Sequence, residues 1–145
     1  MKMPKEVTNG LIIFISIGIY FLLMEVLGLA HLFYLRFLNI VFVFYGVNRT
    51  IQMNINEGKK KFVTNAISAM ITSIIGVILC IIALVIYSHM LGGDAFVQSL
   101  SETFLFGGNP SIDAYSISLL FEGIASSVIV TLLLMLYWNN KFLAD

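Results

Sequence analysis

The chain has 145 residues, of which 59% are hydrophobic, 11% charged and 13% aromatic, and its formal net charge is zero. A soluble domain carries about 25% charged residues, so this balance excludes a single water-exposed globule. Zero net charge removes the case for a nucleic-acid partner, and the lone Cys80 excludes an internal disulfide, a CxxC redox pair and a thiolate metal cage.

A membrane helix uses about 20 residues, so four spans would take about 80 and leave the remainder for short ends and loops. The sequence shows four apolar stretches of that kind. The first runs from about Gly10 to Ala30, broken only by Glu25. Lys2 and Lys5 before it and Gly28-Leu29-Ala30 after it would also suit a secretory signal, but the length of the apolar run favours a retained helix.

The second stretch, about residues 33–51, is weaker, because Arg36, Asn39, Asn48 and Arg49 flank a dense core of IVFVFYGV. It is expected to span by extending its two arginines to opposite surfaces. Gly58 is the expected stop of this helix. The third stretch, residues 62–91, is the longest and exceeds the thickness of the hydrocarbon, which implies tilt or a protruding end. Between it and the fourth lies an outer segment, residues 92–111, in which Phe96, Leu100 and Phe104 recur at helical spacing. Asp94 is expected to cap a short amphipathic helix there, which either lies on the outer leaflet or seals the bundle end. The fourth stretch, residues 112–138, is expected to open with Asn109 as cap and Pro110 at the first helical position. Tyr137 and Trp138 mark its exit through the interface.

Lys2, Lys5, Arg49, Lys59, Lys60, Lys61 and Lys141 fall on one side of these spans, and only Arg36 falls on the other. The positive-inside rule then puts both termini and the middle loop in the cytoplasm. The fold class expected is all-α, an integral membrane four-helix bundle forming one transmembrane domain over residues 1–145, multi-pass in a bacterial inner membrane. Small multidrug exporters also have four helices and a glutamate in the first, but those that insert in both orientations need almost no such charge bias.

Small residues recur every fourth position at Ser68, Thr72, Gly76 and Cys80 in the third span and at Gly123, Ser127 and Thr131 in the fourth. Such stripes let helix backbones approach closely, so these two faces are expected to meet each other, or one of them to meet a second chain.

The candidate binding or coupling residues are the ionisable and polar groups within the spans. Glu25 and Arg36 fall eleven residues apart across a short outer turn, which suggests an ion pair stapling the first hairpin, or a gate. Glu122 lies about 15 Å below the outer end of the fourth span, near the midplane, where a charge must be protonated, hydrogen-bonded or paired. Tyr45 lies at a similar depth in the second span and Arg49 about one turn deeper, so either is expected to be within its reach. His31 and His89 both fall near the outer surface, but nothing fixes a separation suited to a metal or haem. No HExxH, GxSxG, Walker or paired-cysteine signature occurs, so neither an enzyme, a cofactor nor a bound metal is expected.

The segment from Leu35 to Met90, followed by SISLLFEGIASSVIVTLLLMLYWNNK, resembles a bacterial family of small four-span integral membrane proteins catalogued only as a domain of unknown function. The resemblance rests on Arg49 closing the second span, the Gly58-Lys59 link, Tyr87 at the exit of the third, and Phe121-Glu122-Gly123 with Ser126 and Ser127 in the fourth. A short outer loop and the ending WNNK depart from it. The resemblance implies the topology and draws attention to Glu122 without implying an activity. The expected function is that of a non-catalytic accessory or assembly subunit, with the lipid bilayer and other membrane proteins or itself as partners. The alternative is a small proton- or ion-coupled carrier or channel using Glu122 with Glu25 and Arg36.

Overall fold

Long apolar runs that leave no room for a strand ladder satisfy their backbone groups within one segment, and helices are the result. The computed structural model describes residues 2–100 and 109–143. Among them the elements are α1 (Lys5–Val26), α2 (Phe33–Arg36), α3 (Asn39–Asn56), α4 (Phe62–Met90), α5 (Asp94–Leu100), α6 (Ile112–Tyr137) and a final 3-10 turn, Asn139–Lys141. Three of these, α1, α4 and α6, are long and apolar enough to cross a membrane.

Local chemistry sets the helix ends. Gly58 follows α3 with a φ of +82°, and in that turn the Lys59 N–H donates to the Asn54 carbonyl at 2.8 Å. This is the expected stop, since a side chain disfavours the left-handed backbone needed there. Beyond the turn, the Asn65 carboxamide donates to the carbonyls of Lys59 and Lys61 at 2.9 and 2.8 Å, which fixes the entry into α4. The start of α6 differs from expectation. Ser111, and neither Asn109 nor Pro110, caps it, its hydroxyl accepting from the Ala114 N–H at 3.2 Å. The Asp94 carboxylate accepts from the Ile112 N–H at 2.9 Å, so Asp94 serves the start of α6 as well as opening α5.

The long helices alternate in direction. Lys5 at the start of α1 pairs with Glu57 at the end of α3, and the Leu143 N–H donates to the Lys60 carbonyl at 2.8 Å. The start of α1, the α3–α4 turn and the segment after α6 therefore share one end of the bundle. At the other end α5 buries Val97 and Leu100 against Ile112 and Tyr115, and Phe96 meets Tyr87 edge-on. α5 thus packs on the ends of α4 and α6. Phe104, the last position of the amphipathic pattern, lies outside the described residues.

Helix α4 is central and packs against α1, α3 and α6. The main apolar core, toward the end that holds the termini, joins Ile13 of α1, Val43, Val47 and Ile51 of α3, Ala69 of α4, and Val130, Leu134 and Met135 of α6.

The second stretch departs most from expectation. It is two pieces, α2 and α3, broken at residues 37–38, and its longer piece is not among the three helices apolar enough to cross a membrane. Two causes are visible. The Tyr20 hydroxyl donates to the Leu35 carbonyl at 2.8 Å, drawing the backbone toward α1, and the Leu38 N–H turns back tightly to that same carbonyl. The far half of α3 then carries Asn48, Arg49, Gln52, Asn54 and Asn56, which lowers its hydropathy.

Candidate functional site

Arg36 sits at the α2–α3 break, and its guanidinium enters the bundle instead of turning back to the first helix. One nitrogen, Nη2, donates to Glu122 Oε1 at 3.0 Å and the other, Nη1, donates to the Tyr115 hydroxyl at 2.8 Å. The Phe33 ring lies 4.9 Å from the guanidinium carbon, in cation–π range. The Arg36 and Glu122 side chains are 23% and 29% exposed, so the pair is largely shielded. A charge-assisted bond in that setting contributes more than an exposed one, and leaving either partner alone there is costly.

This arrangement corrects two expectations. Glu25 does not pair with Arg36, and among the described residues it enters no ion pair. The connection after α1 is not a tight turn: it takes residues 27–32, with Gly28 at a φ of +71°, before α2 begins. Tyr20 then ties α2 to α1 five residues before Glu25, about 7 Å along the helix axis. Nor do Tyr45 and Arg49 meet Glu122. Both are exposed on the outward face of α3, which turns Val43, Val47 and Ile51 to the core instead. Tyr115 was not anticipated, although it lies seven residues before Glu122 and so shares its helix face.

A second polar system runs through the core nearer the end that holds the termini. The Asn9 carboxamide donates to the Thr50 hydroxyl at 2.8 Å, the Thr50 and Thr72 hydroxyls are 2.9 Å apart, and Ser68 donates to Glu6 at 2.9 Å. Asn9, Thr50 and Thr72 are fully buried, so α1, α3 and α4 are joined by hydrogen bonds out of contact with solvent. Close approach makes this possible. A Cβ on Gly76 would stand 2.7 Å from Ile13 Cγ2, and one on Gly46 would also collide with Ile13.

The two small-residue stripes therefore do not face each other. Ser68, Thr72 and Gly76 face α1 and α3, while in α6 Gly123 lies against Val77 and Thr131 donates to Met70 Sδ at 3.4 Å. The stripes meet different neighbours because α4 is contacted from several sides, and Gly123 and Thr131 of α6 each meet a bulky α4 side chain. Ser127 bonds the Gly123 carbonyl of its own helix at 2.8 Å, and Cys80 is a half-buried free thiol.

His89 hydrogen-bonds through Nδ1 to the Val85 carbonyl at 2.8 Å, and among the described residues no group of three His, Cys, Asp or Glu side chains is placed to hold a metal ion. The described surface has open hollows, two of which adjoin α3. One, about 410 Å³, is lined by Tyr45, Asn48, Arg49, Gln52, Met53 and Asn56; the other is lined by Ser16, Ile19, Tyr20, Leu23 and Phe42. Neither is lined by Glu122.

Compared with protein-family models, curated proteins and solved structures, the chain finds no match.

Proposed function

We propose that the chain is a multi-pass protein of a bacterial inner membrane, with both termini cytoplasmic, that acts as a non-catalytic accessory or assembly subunit and docks on other membrane proteins through its apolar outer faces. In this reading α2 and α3 together make a fourth crossing. The seven Lys and Arg that the sequence assigns to one side, against Arg36 alone, support the orientation.

The observation that carries the reading is the engagement of Glu122. A coupling carboxyl must gain and lose a proton or cation from an aqueous path, whereas Glu122 is held by Arg36, itself shared with Tyr115. Such a triad joins the α2–α3 break to the middle of α6 and serves the fold. The outer surface around it is apolar, with Ile117, Leu120, Phe121 and Ile124 exposed along α6, and suits lipid or a neighbouring membrane helix.

The test is reconstitution in sealed vesicles containing a pH-sensitive dye. Under an imposed pH or sodium gradient, the native chain is expected to leak no faster than empty vesicles. A flux that appears with the native chain and disappears in Glu122→Gln would establish the carrier in its place.

A further inference from the structure

The outward face of α3 carries polar residues that the bundle does not use. Tyr45, Arg49 and Gln52 are all exposed, and Arg49 makes no ion pair or hydrogen bond among the described residues. Together with Asn48 they line the hollow of about 410 Å³. That hollow is rich in hydrogen-bond donors. The Asn48 carbonyl oxygen is already taken by the Trp138 indole N–H at 2.8 Å, which leaves its amide donors to point elsewhere. Arg49 supplies only donors, Tyr45 a hydroxyl, and Gln52 a further amide. No carboxylate lines the hollow, and the nearest acidic residue along the chain, Glu57, is held by Lys5 and Lys59.

Two hydrogen bonds give its depth. Arg49 adjoins Thr50, which is bonded to Asn9, the residue just before the apolar run of α1. Asn48 is bonded to Trp138, directly beyond the end of α6 and beside Tyr137. Aromatic residues at a helix exit mark the headgroup level. Below Arg49, one and two turns along the same face, Tyr45 and Val41 are each 57% exposed and offer an apolar wall.

We propose that this hollow is a binding site for the phosphodiester headgroup of an anionic phospholipid, with Arg49 forking onto the phosphate, Asn48, Gln52 and Tyr45 donating around it, and an acyl chain lying along Tyr45 and Val41. Basic, donor-rich pockets at the cytoplasmic ends of membrane helices recognise such headgroups, and Arg matches phosphate geometry. The inference rests on the reading that the chain lies in a bilayer. The apolar wall beneath the donors selects a lipid over a free phosphate ion.

The test is native mass spectrometry of the full chain released from micelles that hold equimolar phosphatidylglycerol and phosphatidylcholine. The native chain is expected to retain phosphatidylglycerol preferentially, Arg49→Gln to lose that preference about five- to tenfold, and Lys141→Gln, a basic residue at the same end but outside the hollow, to keep it. Millimolar inorganic phosphate should leave the retained lipid in place. Unchanged preference in Arg49→Gln would overturn the site, and displacement by inorganic phosphate would replace it with a free-anion site. Efficient cross-linking of two copies through Gln52→Cys in vesicles would make the face a dimer contact instead. An alkaline wash of vesicles separates the two readings: a chain that stays with the vesicles without lipid preference overturns only the site, whereas a chain that is washed off overturns the membrane reading as well.

Discussion

Arg36 and Glu122 stand 86 residues apart in the chain and 3.0 Å apart in space, joining the break in the second stretch to the middle of α6. Because the pair is largely shielded, removing one charge leaves the other without its counter-ion. Glu122→Gln is expected to lower stability in detergent by about 1–3 kcal/mol, and Tyr115→Phe, which removes one acceptor from Arg36, by about 1 kcal/mol. Thermal or denaturant unfolding followed by circular dichroism measures both.

Ile13 of α1 fills the space above two glycines, Gly46 of α3 and Gly76 of α4. Gly76→Ala is expected to force that contact apart and cost about 1–3 kcal/mol, with part of the loss recovered when Ile13→Val is added. Gly18→Ala is the control. Nothing lies within 4 Å of a Cβ there, and alanine favours the helix, so this variant should be neutral or slightly stabilising in the same unfolding assay.

At the end of the bundle that holds the termini, hydrogen bonds from Lys5 and then Lys59 hold the Glu57 carboxyl below its ordinary value of 4.5, and the bond to Glu57 raises Lys59 above 10.5. The sign follows from which form each state favours. Glu57 with its lowered folded value contributes stability above pH 4.5 that is lost as pH falls through the folded value, whereas the Lys59 contribution is present below pH 10.5 and is lost as pH rises through its folded value. Glu57→Gln should therefore remove part of the acid-side loss below pH 4.5, as read from pH-dependent unfolding of the two proteins. The effect should shrink in high salt, since Glu57 and Lys59 are exposed.

The proposed orientation makes a separate prediction. A reporter inserted at Gly58, in the turn beside the lysines, should be cytoplasmic, and one inserted at Gly93, where the chain enters α5, should be outside. A cytoplasmic reporter at Gly93 would contradict the four-crossing reading.

The long apolar helices were legible because their signal is additive over many residues: α1, α4 and α6 each overlap an expected stretch. Gly58 was legible because a left-handed turn needs a residue of its kind. The break at residues 37–38 was not, because its cause is the Tyr20 hydroxyl on another helix, and hydropathy reads only one segment at a time. The same limit explains the site. Spacing identified Glu122 and Arg36 as groups that need partners, but it paired Arg36 with Glu25 by assuming a short turn, and it paired Glu122 with residues that face outward. Asn9, Thr50 and Thr72 form a buried network across three helices. Only Thr72 belonged to a visible pattern, and that pattern described its spacing and not which helix it would meet.

Whether Arg36 and Glu122 act as a structural pair is read from a double-mutant cycle in unfolding free energy with Arg36→Met, Glu122→Met and the combined variant. The double variant is expected to be more stable than the less stable of the two single variants, because neither Arg36 nor Glu122 is left without its partner, with a coupling of about 1–3 kcal/mol. Single losses that simply add in the double variant would show that the two residues do not stabilise each other.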